Sequence, residues 1–320
     1  MNIRIVGRLA RAFQKTRGRL ANAALGLALL CPSLANACAC GCGLFDVGTS
    51  AMYANNAGGV VFLEYDFMDQ DRNWSGTASA PAADNNDKRI RTSFVTAGAQ
   101  YFFNRTWGVA IEVPYWKRYF QTSDESGAVS GFTHAALGDI RVKGTFTGFS
   151  SDMSTGLTLG LKLANGDSSY ANFDPDTSIG TGSTDVLLGG YHLGHLSRDD
   201  TWTYFVQAQW DQPLAHKNNY RPGAEEVLVA GAYFEGWALR SGIQLAPVTQ
   251  LRAVHRMRDG GADGLSADSG YTRILASPGI ELNAGKISAY LDVALPLYTN
   301  VRGNQLVAQQ LWKFNLSYRL

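Results

Sequence analysis

The stretch Lys286-Ile287-Ser288-Ala289-Tyr290-Leu291-Asp292-Val293-Ala294-Leu295-Pro296-Leu297 decides the architecture. At every second residue, Ile287, Ala289, Leu291, Val293, Leu295 and Leu297 form an unbroken apolar row, while Ser288, Tyr290, Asp292, Ala294 and Pro296 form a mixed one. A period of two over this length is a β-strand with one apolar face. A soluble antiparallel sheet alternates in the same way, so repetition has to separate the two cases. The last segment repeats the pattern: Trp312, Phe314, Leu316, Tyr318 and Leu320 alternate with Lys313, Asn315, Ser317 and Arg319. Strands of ten or more residues, charged on one face and lipid-compatible on the other, predict an all-β fold, a transmembrane antiparallel up-and-down β-barrel.

Composition agrees. The 320 residues are 45% hydrophobic and only 17% charged, with 35 Gly, 14 Tyr, 15 Phe and 7 Trp, a balance that favours strands over helices. No stretch after the N-terminal leader approaches the ~20 apolar residues of a membrane helix. Mean hydropathy is near zero, as expected when lumen residues dilute lipid-facing ones.

Residues 1–37 read as a secretory signal peptide. Arg4, Arg8, Arg11, Lys15, Arg17 and Arg19 form the basic region, Leu20 to Leu30 the apolar core, and Ala35-Asn36-Ala37 a small-x-small cleavage site. The apolar run is too short for the competing reading, a transmembrane anchor. Removing those six cations leaves 22 basic residues against 27 acidic ones, a net charge of −5, which argues against a nucleic-acid partner. Cys31 departs with the leader, and Cys38, Cys40 and Cys42 stand at the new N-terminus. Ala35 is a poor residue three places before a lipidated Cys38.

Residues 38–57 form a Cys-rich segment. Gly41, Gly43, Gly48, Asn55 and Asn56 break any period, and the segment is expected to be a plug or periplasmic tail ahead of the barrel at 58–320. Twelve strands are predicted, at about 59–67, 91–103, 107–119, 137–149, 154–164, 183–195, 201–214, 225–235, 237–257, 271–282, 287–298 and 308–320. Short turns alternate with long polar loops, as periplasmic turns alternate with extracellular loops, which puts both termini in the periplasm of a bacterial outer-membrane protein. Aromatics gather near strand ends (Tyr101, Phe103, Trp107, Tyr115, Trp202, Trp237), as interfacial girdles do. A soluble periplasmic β-sandwich would rarely carry Trp, Leu and Val rows on every strand without covering helices. The chain ends on Leu320 rather than an aromatic, with the apolar row intact.

Three runs carry a family resemblance: Leu137-Gly138-Asp139-Ile140-Arg141-Val142-Lys143, Leu161-Lys162-Leu163-Ala164-Asn165-Gly166-Asp167, and Gly180-Thr181-Gly182-Ser183-Thr184-Asp185 followed by Leu187-Leu188-Gly189-Gly190. They resemble the outer-membrane family linked to meta-pathway phenol degradation, with Ala164-Asn165 replacing that family's Pro-Thr. More distantly, the chain is similar to barrels that pass fatty acids and aromatic hydrocarbons. The resemblance implies transport across the outer membrane.

Two sets of residues are candidates for chemistry. Thiolates of Cys38, Cys40 and Cys42 at alternate positions suit a soft ion, copper above all. In an oxidising compartment the competing readings are a disulfide with one odd thiol, or a mixed disulfide with a periplasmic redox or metal partner. The second set should face the lumen: Glu64, Asp66, Glu112, Asp139, Arg141, Lys143, Lys162, Asp211, Arg240, Arg273, Glu281 and Asp292. Both signs occur, so ion pairs bracing a narrow barrel are favoured over a selective pore. His192 and His195 lie three apart on a strand and point to opposite faces. Asp167, Asp174, Asp176 and Asp185 lack EF-hand spacing and read as solvated loop carboxylates. With no Gly-x-Ser-x-Gly and no defensible Ser/His pair, an enzyme is not expected. The leading expectation is passage of a small hydrophobic or aromatic solute across the outer membrane, with no cofactor and with outer-membrane lipid as the surrounding partner. The alternative is a copper-handling or electron-transfer scaffold built on Cys38, Cys40 and Cys42.

Overall fold

The computed structural model describes residues 56–320, apart from residues 125, 218, 236 and 241 and the side chain of Arg240. The expected signal peptide (1–37), most of the segment 38–57, and Cys38, Cys40 and Cys42 lie outside the described residues.

Fourteen strands form one antiparallel sheet: β1 Gly58–Gly76, β2 Ala78–Ser79, β3 Asp87–Phe102, β4 Trp107–Ser123, β5 Val129–Leu137, β6 Arg141–Phe146, β7 Thr155–Lys162, β8 Ser183–His195, β9 Trp202–His216, β10 Glu225–Phe234, β11 Trp237–Arg240, β12 Ile243–Arg256, β13 Tyr271–Ala284 and β14 Ile287–Arg319. The hydrogen-bonded order is β10-β9-β8-β7-β6-β4-β3-β1-β14-β13-β12, and β10 also pairs with β12, so the sheet closes on itself. Closure removes every free edge from the ring, which is what allows strands to cross a lipid phase. Eleven strands make the ring, with β2, β5 and β11 outside it.

The count differs from the expected twelve for a definite reason. The expected strands 287–298 and 308–320 and the loop between them are one 33-residue strand. Straight, it would measure ~110 Å, several times a bilayer. Instead β14 pairs with β13 through Ile287 to Val301 and with β1 through Val301 to Arg319. Arg319 N donates to Lys286 O at 2.9 Å. β14 is therefore a hairpin that crosses the wall twice, turning at Gly303, whose φ is +63°. Other boundaries moved outward similarly: β1 runs nine residues past Phe67 to Gly76, and β4 ends at Ser123.

The exterior follows the alternation. Leu63, Leu157, Leu159, Leu291, Leu295, Phe314 and Leu316 are exposed, each on its strand's outward row. This surface would cost solubility in water and suits lipid. The interior is not uniformly polar. Met68, Phe94, Phe205, Val227, Val229, Val248, Val254, Leu275 and Leu311 point inward and form one buried apolar cluster. The side of the lumen bounded by β10, β12, β13 and β14 is thus a packed core.

The expected strand 137–149 is broken. β5 pairs with β4 from Tyr115 to Ser123, and β6 pairs with β4 from Trp107 to Glu112. Between them Gly138, Asp139 and Ile140 oppose Val113 and Pro114, three residues against two, which is a β-bulge. Pro114 has no N–H for the ladder, and its carbonyl accepts from Gly138 N at 2.9 Å. Above the bulge β5 pairs only with β4, because β7 ends at Lys162. The wall therefore has a seam beside β5.

Candidate functional site

A cavity of about 190 Å³ lies in the hollow half of the lumen. Phe62, Phe94, Pro114, Trp116 and Tyr191 give it an apolar and aromatic wall. Of the residues expected to face the lumen, Glu64, Asp66, Glu112, Asp139, Arg141, Lys143 and Lys162 line it. All of these charges except Asp139 are ion-paired. Lys143 Nζ is 2.8 Å from Glu112 Oε1, with Arg141 4.0 Å from the same carboxylate. Lys162 pairs with Asp185, and Asp211 acts on the same ammonium. Lys313, absent from the expected set, reaches Glu64 at 2.8 Å and Asp66 at 3.9 Å.

The remaining expected residues sit elsewhere. Arg273, Glu281 and Asp292 are buried in the packed half. Asp292 accepts from Tyr290 Oη at 2.7 Å and Gln250 Nε2 at 3.1 Å, with Arg252 at 3.8 Å. Arg273 lies over the Tyr271 ring at 4.3 Å. The side chain of Arg240 lies outside the described residues.

Sequence reasoning missed the plug. The segment 163–182 does not stay in solvent, and Asp176, Thr177, Ser178, Ile179 and Gly180 are all buried. Arg118 on β4, 1% exposed, holds the segment by donating to Thr177 O at 2.6 Å and Ser178 O at 3.0 Å, while its Nε donates to Thr92 Oγ1. Phe173 packs on Phe120, which lies among Ile90 and Leu306. His134 stacks on Tyr170 with centroids 3.8 Å apart and bonds Asp167 at 2.9 Å. The plug borders the cavity, and Thr181 belongs to both.

The base of the plug is a knot at the bulge. Asp139 Oδ1 accepts from Gly166 N at 2.9 Å, and its Oδ2 accepts from Thr181 N at 2.7 Å and Thr181 Oγ1 at 2.6 Å. Asp167 N donates to Leu137 O, and Gly180 N to Asp167 O. The three runs that carried the family resemblance meet here. The glycines are needed for close approach: a Cβ at Gly166 would lie 2.6 Å from Gly138 C, and one at Gly180 2.5 Å from Gly166 C.

The loop carboxylates are not a solvated set. Asp185 is buried against Lys162, and Asp176 is 7% exposed. Burial, then the charges of Asp259, Asp87 and Asp174, push Asp176 up to about 7. Burial, followed by the charge of Asp174, pushes Asp87 up to about 6. The sign follows. A docked Asp176 holds its proton up to about pH 7, whereas a released one ionises near ~3.9. Docking is fully favoured below the lower value, weakens as pH rises between the two, and is unchanged above the upper one. Lowering pH from 7.5 to 5.5 should favour the docked plug by about 25-fold, read as reduced open time in planar-bilayer recordings. Asp176→Asn should remove most of that dependence.

Among the described residues, no group of three or more His, Cys, Asp or Glu is placed to hold a metal ion. No family model matches the chain, and no curated protein matches it. Solved structures do. The COG4313 outer membrane channel from Pseudomonas putida F1 superposes with a TM-score of 0.63 at 11% identity, over 86% of this chain and 100% of that one. The beta domain of the Bordetella autotransporter BrkA (TM-score 0.46, 14% identity, 82% and 98% covered) and the CymD monoaromatic hydrocarbon channel (0.42, 10%, 89% and 98%) are looser likenesses. The first is close enough to show the fold, and the chain folds as an outer-membrane channel β-barrel does.

Proposed function

We propose that this protein is a channel of the bacterial outer membrane, with both termini in the periplasm, that passes a small hydrophobic or aromatic solute. The observation that carries the reading is the combination of a plugged mouth with a lumen cavity walled by Phe62, Phe94, Pro114, Trp116 and Tyr191 beside the seam at β5. A hydrophilic solute needs an open, water-filled path from the mouth. An apolar solute dissolved in the outer leaflet needs only a lateral opening, and the seam beside β5 is where the ladder offers least resistance. The charged row of Arg141, Lys143 and Glu112 opposite the aromatic wall orients a polar substituent such as a phenolic hydroxyl. The resemblance of the knot's three segments to the meta-pathway phenol family supports an aromatic cargo.

The test is uptake by proteoliposomes of toluene or phenol against glucose, a hydrophilic solute. Faster entry of the aromatic solutes than in protein-free vesicles, with no gain for glucose, is the expected result. Equal acceleration of glucose would show a general pore and overturn the reading.

A further inference from the structure

The lipid-facing wall carries a cationic patch that neither the cavity nor the plug uses. Arg91 on β3 and Lys117 on β4 are both exposed and outward-facing. Arg91 opposes Tyr119 and Lys117 opposes Ser93, so the two cations are diagonal neighbours across the ladder, within ~8 Å. Neither makes an ion pair or hydrogen bond with another described residue. The nearby carboxylate of Asp69, directly across from Arg91, is engaged by Arg89. Arg91 instead lies 5.5 Å over the Tyr119 ring. Like charges placed this way repel unless an anion bridges them.

Their height is informative. β4 starts at Trp107, 55% exposed, and its outward row runs Val109, Ile111, Val113 and Tyr115 before reaching Lys117. Ten residues at ~3.4 Å along a strand tilted by ~40° rise ~25 Å, the thickness of a barrel's apolar band. Lys117 therefore stands where that band ends, at headgroup level, at the end of β4 away from the short turn 104–106. Tyr65 and Tyr115, both exposed, lie just below it, and the Tyr65 hydroxyl is 3.3 Å from Ser93 Oγ.

We propose that Arg91 and Lys117 bind a phosphate on a glycolipid of the outer leaflet. The planar guanidinium suits bidentate contact, the ammonium adds a point charge, and the tyrosines pack the sugar and upper acyl chains. A lipid phosphate is favoured over a free one because the patch faces the bilayer, with its apolar rows continuing directly beneath. The proposal rests on the outer-membrane placement above but not on the cargo.

The test uses the full chain purified in mild detergent, with native mass spectrometry as readout. Bisphosphorylated lipid A, the same lipid dephosphorylated, and inorganic phosphate as competitor are the probes. Heat-modifiable gel mobility establishes that the Arg91→Gln/Lys117→Gln double variant is folded. Retention of the phosphorylated lipid should fall by about thirtyfold in the double variant, and by a similar factor for wild type with the dephosphorylated lipid. The second comparison needs no variant. Retention within about twofold in either comparison overturns the proposal. So does displacement of the lipid by millimolar phosphate, which would mark a site for the free anion. Loss of aromatic uptake would leave these outcomes untouched.

Discussion

Arg118→Ala should open the mouth of the barrel. The guanidinium tethers the buried tip of the plug, giving two of its hydrogen bonds to carbonyls of Thr177 and Ser178 and a third to Thr92. A hydrogen bond from a charged donor contributes about 1.5–3 kcal/mol, so losing two shifts the docked-to-released ratio by at least ~100-fold. The barrel itself should survive, since Arg118 lies on an inward row and its backbone ladder is untouched. Single-channel conductance in planar bilayers is the measurement. A step several-fold larger than wild type, with longer open times, is expected. An unchanged conductance at full folding would show that Phe173 on Phe120 and the Asp139 knot hold the plug without help.

Asp139→Ala should do more damage. Its carboxylate takes three hydrogen bonds, two from backbone N–H groups of Gly166 and Thr181 and one from a hydroxyl, at a bulge where the ladder is already interrupted. Deletion leaves those donors unpaired in a buried site, at a cost of about 4 kcal/mol. The plug base and the seam beside β5 loosen together. The expected result is a marked drop in the temperature at which heat-modifiable mobility is lost, along with leak of small hydrophilic dyes from proteoliposomes. Asp139→Asn keeps one acceptor oxygen and should recover part of the loss. A variant as heat-resistant as wild type would remove the knot from the account.

The alternation legible in 286–297 identifies a barrel wall because each strand's partners follow from local pattern and short turns. Everything set by non-local contacts was harder to see. The segment 165–182 looks like a solvated loop, since its anchors, Arg118 and Asp139, are 59 and 42 positions from the residues they hold. Only the family resemblance marked Gly138-Asp139, Asn165-Gly166-Asp167 and Gly180-Thr181 as a set, and it did so without saying that they touch. The lumen rows show a related blind spot. Glu64, Arg141 and Lys143 border a cavity, while Arg273, Glu281 and Asp292 are embedded among Leu275, Tyr290 and Val254, yet all occupy equivalent alternating positions. A period of two identifies the inner face; it does not distinguish empty space from filled space. The twelve-strand expectation missed the unbroken β14 because Thr299 to Val307 is polar enough to read as loop, although its backbone stays in the ladder with β1 and β13.

The seal between β1 and β14 has a temporal meaning. Val60 pairs with Arg319, so the first and last strands of the ring are joined by residues from opposite ends of the described chain. No subset of the other strands can make that seam, because its second half lies on β14, the last of the described strands. Until β14 pairs with β1, the sheet has two raw edges, each able to capture a neighbour's strand. Bringing such distant segments together is the slow, entropically costly step of assembly. The chain's lifetime as an open sheet therefore depends on how soon the second half of β14 reaches the membrane, which makes Val301 to Arg319 the clasp of the whole wall.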